Sequence, residues 1–244
     1  MPDSATVITF FSSKGGVGKS VLALNSAMVF SSKMRKRTLL IDLDLQFGDI
    51  SVLLDKHTEK TILEMIDDHR YSSYAEVQEY LYKYSDTLDV LFAPRNPESS
   101  EYLDKGMIVQ IMDNVKEYYD LILIDAGVNF EDHTLYALDI SEYILFVTAM
   151  DILSLKNTKL GLSVMRSLSY TENKLKLVLN FFNTRYGINE ADIKSAFPEK
   201  IFARISEDEK HMRKSVNLGI PLYEYKRNCH TMREIEKMCK DLID

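Results

Sequence analysis

The sequence predicts a single α/β domain over residues 1–244: a doubly wound, mostly parallel β-sheet flanked by helices on both faces. Three observations carry this. The chain has 244 residues, 45% of them hydrophobic, which suits one domain with a full core. Its short apolar runs are continuous and not alternating, as in strands buried on both faces. Those runs alternate with longer stretches of helical spacing, the pattern of parallel strands joined by helices.

The elements follow in order. "TVITFF" (Thr6 to Phe11) is β-branched and aromatic, reads as a buried strand, and leads directly into a glycine loop. From Ser20, "SVLALNSAMVFSS" has helical apolar spacing with small residues. "RTLLIDLDL" (Arg37 to Leu45) is a second strand ending in acids, and "TLDVLFAP" (Thr87 to Pro94) a third, stopped by its proline. Between them, "DDHRYSSYAEVQEYLYKYSD" is polar and tyrosine-rich and reads as a peripheral helical excursion. "YYDLILIDAG" (Tyr118 to Gly127), "SEYILFVTAM" (Ser141 to Met150), "KLKLVLNFF" (Lys174 to Phe182) and "KIFARI" (Lys200 to Ile205) complete seven strands. Helices are expected in "EYLDKGMIVQIMDNVKEY", in "LSLKNTKLGLSVMRSL" and in the closing "TMREIEKMCKDLID".

Composition narrows the function classes. The net charge of −7 argues against nucleic acid as the default partner. The two cysteines, Cys229 and Cys239, lack metal-ligand spacing and fit a reducing, cytoplasmic compartment. The five histidines are scattered and suggest no metal cage. No run approaches the roughly 18 apolar residues of a membrane span. The N-terminus lacks the basic and apolar regions of a signal peptide.

The chemistry is concentrated after the first strand, in "SSKGGVGKS" (Ser12 to Ser20). The general phosphate-loop pattern G-x-x-x-x-G-K-[ST] has a glycine where this chain has Ser13, and Lys14 is a second lysine inside the loop. Glycines between a strand and a helix let backbone N–H groups converge on phosphate oxygens, and the helix N-terminus adds partial positive charge. Lys19 is placed to reach β- and γ-phosphates, and the Ser20 hydroxyl to ligate Mg²⁺. "LLIDLDLQFGD" puts Asp42 and Asp44 at the C-terminal end of a strand, where open α/β sheets bind ligands. Two residues apart on extended chain, their carboxylates are expected on one side, one serving the metal's water shell and the other a water. "LILIDAG" puts Asp125 at another strand end, placed to hold Mg²⁺ through water. Strand-end aspartates also cap turns, but three of them beside a phosphate loop favour the nucleotide reading.

Together, "KGGVGKS", "LLIDLDLQFGDIS" and "YYDLILIDAG" resemble the deviant-Walker-A ATPases, the MinD/ParA class of the SIMIBI group, over nearly the whole chain. "LDLQFGD" is similar to the CpaE/TadZ branch of pilus-assembly and polar-localisation ATPases. So are "LFAPRNPE", "LFVTAMDILSLKNTKLGL", "LVLNFFNT" and "ARISEDEKHMRKSVNLGIPLYEY". The resemblance implies that Lys14 is the signature lysine that reaches the nucleotide of a dimer partner. Gly15, Gly16, Val17, Gly18, Lys19, Ser20 and Val21 would form the phosphate loop and helix start. Asp44 would position the attacking water, with Asp42 beside it near the metal. Asn180 would read adenine, and Ser206, Glu207 and Asp208 would line the base, Ser206 standing where the family has proline. The segment after Asp125, "DAGVNF", lacks the family's prolines. That branch often carries an N-terminal receiver-like domain; here a stand-alone or trimmed ATPase domain is expected.

The expected function is therefore a slowly hydrolysing ATPase that binds ATP/ADP and Mg²⁺, forms an ATP-dependent homodimer, and acts as a localisation or assembly factor for pilus or secretion machinery. A ParA-like DNA-partitioning protein, a MinD-like membrane-associated positioning protein and a scaffold that has lost hydrolysis are the alternatives. "KMRKR" (Lys33 to Arg37) reads as a solvated face; "KHMRK" (Lys210 to Lys214) could form part of a nucleic-acid patch as in ParA proteins, but the acidic balance of the chain argues against DNA as the expected partner. In the last helix, Met232, Ile235, Met238, Cys239 and Leu242 form an apolar stripe. Glu234, Glu236, Asp241 and Asp244 offset its bases, so docking on the protein's own core is expected rather than a basic membrane helix.

Overall fold

Strand β1 (Thr6–Phe11) lies inside an eight-stranded sheet, between two strands from far along the chain. The computed structural model describes residues 4–96, 103–183, 188, 192, 193, 197 and 199–243. After β1 come α1 (Lys19–Met28), a π-helical turn (Val29–Lys33), β2 (Thr38–Leu43), α2 (Ile50–Leu53), α3 (Ile62–Asp67) and α4 (Tyr74–Gln78). Then follow β3 (Tyr82–Ser85), β4 (Leu88–Leu91), α5 (Lys105–Val115), β5 (Leu121–Ala126), α6 (Asp132–Ile140) and β6 (Tyr143–Ala149). The chain continues through α7 (Ile152–Ser167), β7 (Leu175–Phe182), β8 (Ile201–Ser206), α8 (Glu209–Leu218), α9 (Leu222–Tyr225) and α10 (His230–Ile243).

The strand order is β3-β4-β2-β5-β1-β6-β7-β8, and every pairing is parallel except β3 with β4. The doubly wound, mostly parallel sheet is thus present, with its seven expected strands trimmed by a residue or more at most ends. The eighth, β3, falls within the tyrosine-rich stretch read as a helical excursion. Its four residues pair antiparallel with β4 at the sheet edge, so Tyr82 and Tyr84 carry only a one-sided, half-buried pattern. The ends of two quoted family segments, Pro97 and Glu98 of "LFAPRNPE" and Thr184 of "LVLNFFNT", lie outside the described residues, as do Glu101 and Tyr102 at the start of the stretch holding α5.

Alternate residues of β5 feed opposite layers: Leu121 and Leu123 join one core, Ile122 and Ile124 the other. The first layer packs against α1 and α10, the second against α3 and α5, and a third cluster lies under α7. The C-terminal stripe docks as expected: Met232, Ile235, Met238, Cys239 and Leu242 are all buried in the first layer. Lys33 and Arg37 of the basic run pair with Glu236 and Asp120, leaving that run a solvated face. Among the described residues no helix is long and apolar enough to cross a membrane. Ile235→Ala, which empties a fully buried site between α10 and the sheet, is expected to cost about 2–5 kcal/mol, read as a lower denaturation midpoint at unchanged slope.

Candidate nucleotide site

The loop from Ser12 to Gly18 leaves the C-terminal end of a central strand and opens directly into α1. Gly16 and Gly18 take φ of 77° and 81°, the left-handed region that favours glycine. At Gly18 a Cβ would also collide with the Asn180 amide nitrogen and sit 3.2 Å from Phe181 Cζ. Gly18 caps α1 without a side-chain hydrogen bond, and no acid occupies the first turn. The first amides of α1 therefore face the loop's concavity with their partial positive charge uncompensated by protein, the arrangement that binds anions. We expect Gly18→Ala to remove nucleotide binding while the melting temperature falls by only a few degrees, a split visible by titration beside a thermal melt.

Lys19 is buried, with its ammonium 2.6 Å from Asp125 Oδ1 and 3.7 Å from Asp44 Oδ2. Burial pushes its pKa down, but Asp125, Asp44 and Asp42 outweigh that, and the net shift is upward. Asp42 and Asp125 sit side by side in the β2–β5 register. Burial raises both carboxyls above the usual range, Asp42 well above it with Asp125 adding repulsion, and Lys19 opposes the rise at each. Asp125 Oδ2 is buried with no hydrogen-bond partner.

Asp42 and Asp44 both bear on Lys19, but not as alternate residues of one extended strand. Strand β2 ends at Leu43, so Asp44 lies in the following turn and not on extended chain. Asp42 Oδ1 accepts the Asp44 N–H at 3.3 Å and Oδ2 the Ile50 N–H at 3.1 Å. Asp42 thus ties down the 44–50 turn, while Asp44 lines the open cavity. Asp49 lines it too, with its carboxyl raised by burial and by Asp125 and Asp44.

Lys14 points away from Lys19. Its ammonium donates to Ser154 Oγ at 3.0 Å and Asp151 Oδ1 at 3.3 Å, at the start of α7, and about a third of the side chain remains exposed. Asp151 caps α7 by accepting the N–H groups of Leu153 and Ser154. Burial works against its charge, but the Ser154 hydrogen bonds and Lys14 hold its carboxyl below the usual range. Ser13, the residue at the loop's first glycine position, packs against α7 where Gly161 leaves room.

The loop, Lys14 to Val21, Asp44 and the Gly127–Asn129 segment line a cavity of about 580 Å³. A second cavity of about 330 Å³ adjoins it through Gly18, Val21, Phe181 and Val216, and is lined by Asn180, Glu207 and Asp208. Asn180 donates to the Val17 carbonyl at 2.8 Å, fixing the loop to the end of β7. Asp208 lines this cavity but uses its carboxylate to cap α8 and to pair with His211. Ser206 is drawn elsewhere: its N–H and hydroxyl both donate to Glu234 on α10. Sequence reasoning passed over Phe47, Asp49, His133 and Phe181, all lining the larger cavity. Only Asp49, closing "LDLQFGD", carried a visible signal.

Among the described residues no three or more His, Cys, Asp or Glu converge as a metal-ligand set. The donor set still suits a hard divalent cation held mainly by phosphate oxygens and water: Ser20 lines the cavity with its side chain beside Asp125, and Asp125 Oδ2 has no hydrogen-bond partner.

A glycine loop between a central parallel strand and a helix N-terminus, with a buried lysine against Asp125 and Asp44, is the arrangement of a P-loop fold. A family model described as an AAA domain, AAA_31, matches residues 5–177, and the chain belongs to that family. Among curated relatives, an uncharacterized ATP-binding protein of Methanocaldococcus jannaschii, MJ0169, is 24% identical over 224 residues, 91% of this chain and 82% of the relative. The septum site-determining protein MinD of Thermotoga maritima is 23% identical over 222 residues, 88% of this chain and 80% of that one. A ParA family ATPase from Chlorobium tepidum superposes with a TM-score of 0.89 at 21% identity, covering 96% of this chain and 98% of the other. MinD from Pyrococcus horikoshii, solved with Mg-ADP, gives 0.81 at 21% identity, covering 98% and 96%.

Proposed function

We propose that the chain binds ATP and ADP with Mg²⁺ in the paired cavities, hydrolyses ATP slowly, and forms a face-to-face homodimer when ATP is bound. The phosphates would lie on the loop and the α1 N-terminus, with Lys19 turning from Asp125 to the β- and γ-phosphates. The base would enter the smaller cavity beside Asn180. Ser20 and Asp125 would hold Mg²⁺, which would supply charge neutralisation at the phosphates, and Asp44 would orient the attacking water. Phosphoryl transfer is largely positioning and charge neutralisation, which is what these groups supply.

The observation that carries the dimer is the contrast between the two lysines. Lys19 is buried among its own chain's acids, whereas Lys14 stands at the cavity rim, held sideways and partly exposed. That partial exposure supports the reading that Lys14 serves the nucleotide of a second copy as an arginine finger would. The output we propose is spatial: a nucleotide-switched localisation or assembly factor for pilus or secretion machinery, on the "LDLQFGD" resemblance to that branch. ATP shifts the population toward the dimer and hydrolysis releases it.

Light scattering after size exclusion tests this on Asp44→Ala, which should hold unhydrolysed ATP. A dimer with ATP, and monomer with ADP or no nucleotide, is expected. Monomer in every state overturns the mechanism. ATP-dependent, salt-sensitive binding to random duplex DNA would instead select a partitioning role, and ATP-dependent sedimentation with vesicles a membrane role.

A further inference from the structure

His133 is the second residue of α6, just beyond the Gly127–Asn129 wall of the larger cavity. Its side chain is only 12% exposed and lines the same cavity as Lys14 to Val21 and Asp44. Its nearest charged partner is Glu131, at 3.6 Å from Nε2, too long for a hydrogen bond. A mostly buried imidazole that lines this cavity with no hydrogen bond to the protein is a polar group open to a ligand.

We propose that His133 is a phosphate-contacting residue of this site: when a nucleoside triphosphate enters, its imidazole takes up a proton from solvent and pairs with the terminal phosphate.

The charges facing His133 explain why the proton arrives with the ligand. Glu131 and Asp132 act from its own helix end and Asp44 from the turn after β2, all favouring the imidazolium. Burial outweighs them, so in the empty site the ring is held below the ordinary histidine range and is neutral at neutral pH. The cavity is also lined by Lys14, Lys19 and Asp49. A triphosphate brings several more negative charges into a space of low dielectric, which moves the balance to the charged ring. The extra proton adds a further positive group against the phosphates, beside Lys19 and the α1 N-terminus. This adds a role in charge neutralisation to the segment after Asp125, which lacks prolines.

The inference rests on nucleotide binding in this cavity, and the experiment separates the two. Calorimetric titration with Mg²⁺ and a slowly hydrolysed ATP analogue, at about pH 7 in buffers of different ionisation enthalpy, counts the protons bound. Wild type is expected to take up close to one proton more than His133→Asn or His133→Gln, each checked for native circular dichroism. Both variants should bind about tenfold more weakly. Because the ring's pKa is low in the free protein and raised in the complex, wild-type affinity falls as pH rises through about 6–8, with the variants flatter over that window. With ADP the difference between wild type and variant should shrink. Equal proton uptake and parallel pH profiles, with nucleotide still bound, overturn the role of His133 alone. An equally large difference with ADP removes the terminal phosphate as its partner. Absence of binding by wild type overturns the nucleotide reading, and this inference with it.

Discussion

Lys19→Ala is expected to lose ATP and ADP binding by at least about a hundredfold, and also to destabilise the empty protein. The second effect distinguishes Lys19 from a residue that only touches ligand. Its ammonium is the counter-charge buried beside Asp125 and near Asp44. Removing one partner of such a pair leaves an uncompensated buried charge and typically costs about 3–5 kcal/mol. The pH dependence has a definite sign. Asp42 and Asp125 are raised by burial, so the stability they contribute is full below their unfolded pKa and is lost as pH rises through the folded values. Without Lys19 those values rise further. Thermal melts should therefore show the variant's deficit widening from about pH 5 to about pH 8. A constant deficit would mean the ammonium does not balance these carboxylates.

Lys14→Ala is expected to behave in the opposite way. Its ion pair with Asp151 is partly exposed, so its loss should cost less than about 1 kcal/mol of stability, and nucleotide should still bind. Turnover should fall by about a thousandfold, the scale of a positive finger at a transferring phosphate, and the ATP-dependent dimer should disappear. Asp151→Asn isolates the cis contact. It leaves Lys14 intact but weakens its anchor on α7, so dimer should form at lower protein concentration. Phosphate-release rates and light scattering over a concentration series read both variants. Normal turnover and dimerisation in Lys14→Ala would falsify the signature-lysine role.

Much of this was legible in the sequence because it depends on local pattern. Continuous apolar runs such as "LILIDA" can only be buried on both faces, and a strand–glycine loop–helix context is written in adjacent residues. The antiparallel β3 was not legible, because Tyr82 to Ser85 form a strand only by pairing with β4 at an edge. That Asp44 falls beyond the last residue of β2 depends on where the strand ends, which the acid spacing does not reveal. His133 reaches the cavity from a segment with no motif of its own, and the quoted segments around Phe47 and Phe181 do not say which side chains face it. Ser206 was placed near the base by resemblance, yet Glu234 of the C-terminal helix claims its polar atoms. That contact joins residues 28 apart and has no signature in either segment.

The position of β1 also sets an order of events during synthesis. The loop bearing Lys14 and Lys19 hangs from a strand whose first neighbour begins at Leu121 and whose second begins at Tyr143. Helix α1 is then covered by α10, some two hundred residues later. The ribosome therefore releases the phosphate loop long before the partners that hold it in shape. During synthesis the loop gains its shape only after β5 and β6 have followed it, and α1 its cover only after α10.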